Sequence, residues 1–325
     1  MFGGAGANAD GAEWPDRHEA GGDTNVLIIA ASALGGAGRS VTSGNLCYQW
    51  ALQGNDVCYL DFNFGSATAG ATFGVGSADR GGLHSFLQAT VPEPQRVDVW
   101  AETDNNDLHS RPPGAGRLVL LPGDRGGGDL PVTAERIQRC ARLLPRLEEE
   151  FGVCVIDLSA GRSFAVELVL AATAMSRIRP SGVRWLVFLP WTRQDILASA
   201  DLVWGDHGLV ATGGRAGHDR DQLADAIRFV RTRVADPDAI GGSGPSGLGA
   251  WVHEQNSRLQ ALAARVRLGR ALVLGTVPDE PVLRWQAKLI SAKDVHERRI
   301  ASPASLEAYT ELARLALLDS MGEVP

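Results

Sequence analysis

A short run of glycines followed by a basic and a hydroxyl residue carries the strongest chemical signal in the chain. Residues 35–40 read Gly-Gly-Ala-Gly-Arg-Ser, between the apolar run 26–31 and a helix-compatible stretch that begins at Val41. Glycines in such a loop let backbone N–H groups converge on an anion, and the dipole of the following helix adds to the attraction. The Arg39 cation can neutralise phosphate charge, and the Ser40 hydroxyl can hold Mg²⁺. The spacing therefore predicts a phosphate-binding loop.

Three later segments place polar residues directly after apolar runs. Asp61 and Asn63 follow the second run, Asp157 and Gly161 follow a run that begins at residue 153, and a Val-Pro-Asp turn occupies 277–279. A carboxylate at a strand end can reach Mg²⁺ or an attacking water, and a glycine lets the backbone approach a γ-phosphate. In a nucleotide site, the residues that bind Mg²⁺ and approach the γ-phosphate occupy such positions directly after strands.

Apolar runs alternate with helical stretches along most of the chain. We predict strands at 26–31, 57–61, 117–121, 153–158, 183–189 and 271–277. We predict helices at 44–53, 83–89, 133–150, 164–177, 193–204, 222–234, 251–268 and 303–321. This order indicates a single α/β domain, doubly wound, with a mostly parallel sheet and helices on both faces. The segments that could do chemistry then meet at the carboxyl edge of the sheet.

Composition sets the outer limits of the domain and of its function. Residues 1–22 are rich in Gly, Ala and Asp and are predicted to be a disordered leader, so the domain spans 23–325. The Gly- and Pro-rich stretch 235–249 is predicted to be a flexible insertion. A net charge of −7 argues against a dominant nucleic-acid surface. No apolar run is long enough for a transmembrane helix, and the acidic last helix is unlike a basic membrane-surface helix.

The four cysteines, whose spacings fit neither a zinc nor a redox motif, are Cys47, Cys58, Cys140 and Cys154. We interpret them as buried free thiols, which favours a reducing cytoplasm.

The order and spacing of these segments resemble the MinD/ParA class of deviant Walker A ATPases, within the SIMIBI group of P-loop NTPases. Further matches are Asn45-Leu46 in the helix after the loop, 82–87 as a helix start and 117–123 as a strand. The resemblance covers about residues 24–300. It implies a P-loop NTPase-like fold, ATP and Mg²⁺ as cofactors, and an ATP-dependent homodimer that acts on a protein partner or cargo.

The resemblance also implies roles for individual residues. Asp61 and Asn63 take the catalytic positions. The residues at the Mg²⁺-binding positions are Ser40, Asp61 and Asp157. The residues at the nucleotide-binding positions are Gly35, Gly36, Ala37, Gly38, Arg39, Ser40, Val41, Gly161, Pro278 and Asp279.

Three positions depart from the family pattern. The signature lysine that reaches the partner's nucleotide falls on Leu34, the loop lysine on Arg39, and the second carboxylate of the Asp-x-Asp strand end on Asn63. Arginine keeps the charge in a planar fork rather than a compact ammonium. Losing a transition-state cation can cost about 10³–10⁵ in rate. We therefore expect weak ATP hydrolysis at best.

Two functions follow, and simpler interpretations stand beside them. The first is a regulatory protein that binds ATP and Mg²⁺, hydrolyses ATP weakly and switches between dimer or partner-bound states. The second is a pseudo-ATPase that serves as a scaffold for protein interactions. The simpler interpretations make 35–40 a structural glycine turn, Asp61 and Asp157 capping aspartates, and Asn63 a turn residue.

Overall fold

The computed structural model describes residues 25–76, 78–176, 182–235, 247–269 and 272–321. The predicted leader at 1–22 lies outside these residues, as does most of the predicted insertion, 236–246. Across the described residues, none of the helices combines the length and apolar character that a membrane crossing requires.

Eight strands form one sheet in the described chain. They are β1 (Val26–Ala31), β2 (Val57–Phe62), β3 (Val97–Asp98), β4 (Leu118–Leu121), β5 (Val153–Leu158), β6 (Val183–Pro190), β7 (Ile227–Val234) and β8 (Val273–Pro278). Their order across the sheet is β3-β4-β2-β5-β1-β6-β7-β8. Every neighbouring pair is parallel except β3 with β4. This confirms the predicted α/β fold with a mostly parallel sheet.

Thirteen helices accompany the sheet in the described ranges. They are α1 (Arg39–Leu52), α2 (Ala69–Phe73), α3 (Leu83–Leu87), α4 (Val99–Glu102), α5 (Ala134–Glu150), α6 (Phe164–Met175), α7 (Arg193–Trp204), α8 (Leu209–Ala216), α9 (Arg220–Asp225), α10 (Gly247–Arg265), α11 (Val282–Trp285), α12 (Ala292–His296) and α13 (Pro303–Met321). Helix α10 begins at Gly247, so the last residues of the predicted insertion are helical.

Alternate residues of the central strands enter two separate cores. Leu27, Ile29 and Ala31 of β1 pack into the core that includes α5, α6 and α7. Val26, Ile28 and Ala30 pack into the core that includes α1 and α13. Because side chains alternate along a strand, a strand buried on both faces needs an unbroken apolar sequence. The doubly wound arrangement follows from that pattern.

One predicted element is wrong. Residues 222–234 were predicted to be a single helix, but α9 ends at Asp225 and β7 occupies Ile227–Val234. The β7 sequence places arginines at 228, 231 and 233 among β-branched and aromatic residues, most of which are buried. Such residues suit a pleated surface better than a helix. The correction adds a strand between β6 and β8 and brings its carboxyl end to the phosphate loop.

Candidate nucleotide site

The sheet order places the phosphate loop at a switch point in the winding of the chain. The loop follows β1, and β5 is the neighbour of β1 on one side. From β1 the chain passes to β2 on that side of the sheet, whereas β6 lies on the other side of β1. Ligands of open α/β sheets bind in the crevice at such a point, beyond the carboxyl ends of the strands.

The loop keeps a shape in which its outer side is open. Gly36 and Gly38 have φ angles of 75° and 77°, in the left-handed region that favours glycine. A Cβ atom added at Gly35 or Gly36 would meet no atom of the described residues within 4 Å. Ala37 is buried and its carbonyl accepts a hydrogen bond from the Thr232 hydroxyl at 2.6 Å. The loop is thus anchored from below by β7 while its outer side stays accessible.

Gly161 closes the base of the loop from the β5 side. Its backbone N–H donates to the carbonyl of Ser32 at 2.8 Å. Its φ of 71° favours glycine, and an added Cβ would lie 3.5 Å from the carbonyl oxygen of Ala33. The segment after β5 therefore contacts the residues that lead from β1 into the phosphate loop.

Arg39 turns into the protein. It is the first residue of α1, and only 7% of its surface is exposed. Its Nε atom donates to the carboxylate of Asp157 in a buried ion pair. Its Nη1 donates to the Ser32 hydroxyl at 3.1 Å and its Nη2 to the Ser40 hydroxyl at 3.3 Å. The guanidinium thus lies beneath the loop, between β1 and β5.

The two carboxylates of the site lie on neighbouring strands. Asp61 and Asp157 are register partners of β2 and β5, and both are buried. Asp61 accepts hydrogen bonds from the backbone N–H groups of Ala69 at 3.0 Å and Asn63 at 3.2 Å. Burial, with a smaller contribution from the Asp157 charge, raises the pKa of Asp61 to about 7. The two hydrogen bonds from Ala69 and Asn63 to Asp61 hold the chain after β2 in place.

Asn63 forms part of a tight turn. Its side-chain amide donates to the carbonyl of Ser66 at 2.7 Å, and the Ser66 N–H donates back to the Asn63 carbonyl at 2.9 Å. These are the bonds of a turn residue. Leu34, which the family resemblance aligns with the signature lysine, directly precedes the loop and is 37% exposed.

A small pocket lies between the phosphate loop and the chain at the end of β8. It is lined by Gly38, Val41 and Thr232 on one side and by Pro278 and Asp279 on the other. Its volume of about 60 Å³ is far below the ~300–1,000 Å³ typical of small-molecule sites. Arg284, which is largely exposed, pairs with Asp279 at the rim. An exposed ion pair is worth little, so this rim is held closed only weakly.

Mg²⁺ does not fit the site in this arrangement. The Ser40 hydroxyl and one oxygen of Asp157 are both bonded to the Arg39 guanidinium. Both oxygens of Asp61 accept backbone N–H groups. Among the described residues no cluster of three or more His, Cys, Asp or Glu side chains could hold a metal. The second oxygen of Asp157 is buried and has no hydrogen-bond partner among the described residues, but it lies on the carboxylate that the guanidinium already neutralises.

Two residues that shape the site, Ser32 and Thr232, are not among the predicted site residues. Ser32 binds Arg39, and its position directly after β1, on the way into the loop, is the signal that could have indicated it. Thr232 anchors the loop through Ala37, but it lay in the stretch that we predicted to be helical.

No protein-family model and no curated protein sequence matches the chain. Solved structures do match, and the chain has an α/β fold similar to theirs. They include the cell division ATPase MinD, McdA and a ParA family ATPase, so the chain has the MinD/ParA fold.

Three of these structures show how far the likeness extends. MinD from Aquifex aeolicus has a TM-score of 0.57 at 16% identity, over 92% of this chain and 98% of that one. An McdA–ATP complex from Cyanothece has a TM-score of 0.57 at 13% identity, over 94% and 99%. MinD from Pyrococcus horikoshii, complexed with Mg-ADP, has a TM-score of 0.52 at 15% identity, over 89% and 94%. At these identities the likeness establishes the fold alone.

Proposed function

We propose that this chain is a pseudo-ATPase with the MinD/ParA fold, a regulatory protein that acts through protein contacts rather than through ATP turnover. The observation that carries the proposal is the inward position of Arg39. The cation expected to face the phosphates is bonded to Asp157, Ser32 and Ser40 instead. Leu34 and Asn63 support the proposal, because neither supplies the lysine or the carboxylate that turnover would use.

Phosphate release from Mg-ATP tests this function. We expect the purified protein to release phosphate at the same background rate as its Asp157→Asn variant. Circular dichroism of both proteins controls for folding. A rate that stands clearly above background in the wild type, and is lost in Asp157→Asn, would overturn the proposal.

A second candidate is the nucleotide-dependent switch, favoured by the shape of the loop. Gly36 and Gly38 keep left-handed backbones, and the outer side of the loop is open. In this candidate the loop and Val41 hold ATP against Gly161, Pro278 and Asp279. The Asp279–Arg284 rim opens for the base, and binding favours a homodimer. The four free buried cysteines fit a cytoplasmic location for either candidate.

Equilibrium binding of a fluorescent ATP analogue separates the two candidates. Gly36→Ala forces an L-residue into a left-handed conformation at the loop. Gly126→Ala imposes the same strain at an exposed glycine of another loop, with a φ of 69°, and is the matched control. The switch predicts loss of affinity in Gly36→Ala alone, because a free loop that relaxes from the left-handed conformation must regain it on binding, at a cost of about tenfold for roughly 1.4 kcal/mol of strain. It also predicts an ATP-dependent increase in mass by light scattering, whereas the scaffold predicts neither result.

A further inference from the structure

The Arg39 guanidinium lies between the two groups that the family resemblance assigns to Mg²⁺. It contacts the Asp157 carboxylate through Nε and the Ser40 hydroxyl through Nη2. The third contact, from Nη1 to Ser32, fixes the plane of the guanidinium against the end of β1. A cation is therefore present at this position, and the protein itself supplies it.

Charge explains why this arrangement is stable. Asp157 is fully buried on β5, and a buried carboxylate needs a counter-charge and hydrogen bonds. The planar fork of arginine supplies both, because it presents several N–H donors in a fixed geometry. The guanidinium would repel a divalent cation placed close to it. The oxygen atoms of Asp157 and Ser40 that could bind such a cation already accept hydrogen bonds from Arg39.

We propose that Arg39 is a built-in replacement for the divalent cation, and that removing its guanidinium turns Asp157 and Ser40 into a divalent-cation site. The second oxygen of Asp157, which has no hydrogen-bond partner in the part of the chain that the structure describes, supports the second half of this statement. Once the guanidinium is gone, both carboxylate oxygens and a hydroxyl are free, and hard divalent cations prefer such oxygen ligands. The inference concerns the site used in the proposed function, but it does not depend on whether ATP binds.

Mn²⁺ is the probe, followed by electron paramagnetic resonance and by thermal melting of the full chain. Wild-type protein should show no bound Mn²⁺ signal, and its melting temperature should be the same in Mn²⁺ and in EDTA. Arg39→Ala should melt at a lower temperature in EDTA and recover several degrees in Mn²⁺, because a ligand that binds only the folded state stabilises it. The recovery should vanish in Arg39→Ala/Asp157→Asn. Arg39→Gln, which keeps two donors without the charge, is the alternative if Arg39→Ala does not fold.

Arg184→Ala is the matched control for general destabilisation. Arg184 also forms a partly buried ion pair, with Asp319, away from the loop. It should melt at a lower temperature, but Mn²⁺ should not restore its stability. The inference is overturned if wild-type protein binds Mn²⁺ in a manner lost in Asp157→Asn. It is equally overturned if neither folded Arg39 variant binds Mn²⁺.

The same proteins separate this inference from the proposed function. Wild-type protein that binds no Mn²⁺ but hydrolyses ATP equally in Mg²⁺ and EDTA would refute the pseudo-ATPase and leave the built-in cation intact. Wild-type protein that binds Mn²⁺ at Asp157 but hydrolyses no ATP would give the opposite result.

Discussion

The side chain of Asn45 accepts a hydrogen bond from the backbone N–H of Ile290 at 2.7 Å, across 245 residues of chain. Its amide group donates to the carbonyl of Lys288 at 3.1 Å and to that of Val41 at 2.9 Å. Asn45 is fully buried on α1, the helix that begins at the phosphate loop. One side chain thus ties the loop helix to the chain that leaves the rim of the small pocket.

Replacing Asn45 by alanine should destabilise the protein by about 2–3 kcal/mol, because it leaves the buried N–H of Ile290 without an acceptor. Urea unfolding followed by circular dichroism measures the change. Asn55→Ala is the control, because within the described residues the Asn55 side-chain amide makes one hydrogen bond, to the carbonyl of Trp50 near the end of the same helix. It should cost less than about 1 kcal/mol, and equal costs would contradict the role of Asn45.

Much of the fold could be predicted because burial on both faces leaves a clear pattern. The run 26–31 is apolar throughout and 153–158 is apolar apart from Asp157, and they form β1 and β5 with the predicted bounds. β7 was predicted to be part of a helix because its arginines and its threonine interrupt the apolar sequence. Those residues are tolerated near the edge of the sheet, where Arg228 reaches Asp319 and Thr232 reaches the loop.

The arrangement of the site was harder to predict than its location. The glycine spacing at 35–38 indicates a loop, and Gly161 donates to Ser32 just before it. The direction of Arg39 depends on Asp157, which lies 118 residues away, and the side chain is long enough to face either way. Asp61 was correctly placed at the end of a strand. The backbone N–H groups that bind Asp61 belong to the segment after β2. No sequence motif indicates the path of that segment.

Gly116 is required by a close approach of two backbone segments. A Cβ atom there would overlap the backbone carbonyl of Asn55, and the Gly116 N–H donates to Ala51 at 2.7 Å. Gly116→Ala should therefore cost at least about 3 kcal/mol of unfolding free energy. At Gly128 an added Cβ meets nothing within 4 Å, so Gly128→Ala should stay within about 0.5 kcal/mol of wild type. Similar melting temperatures for the two variants would refute this difference.

Asp319 joins the last helix to two strands. Its carboxylate accepts from Nε of Arg184 and from Nε of Arg228, each at 2.9 Å, and it is only 5% exposed. Asp319→Asn should cost about 3 kcal/mol, because it leaves two partly buried guanidiniums with reduced compensation.

A double-mutant cycle checks the Asp319 prediction. Adding Arg228→Met removes one of the two uncompensated charges, so the double variant should lose less than the sum of the single changes. Chemical denaturation of the four proteins supplies the coupling energy. Simple additivity would show that Asp319 and Arg228 do not interact.

The buried carboxyl of Asp61 should make stability depend on pH in an unusual direction. Its pKa is about 7 in the folded protein, against about 3.9 for an unperturbed aspartate. The folded state therefore holds this proton more tightly than the unfolded state, and its contribution to stability falls as pH rises from 4 to 7. The loss approaches about 1.4 kcal/mol per pH unit within that window. Urea unfolding of wild type and Asp61→Asn at pH 5 and pH 8 tests this: the advantage of wild type should shrink at pH 8, and a constant difference would rule out the raised pKa.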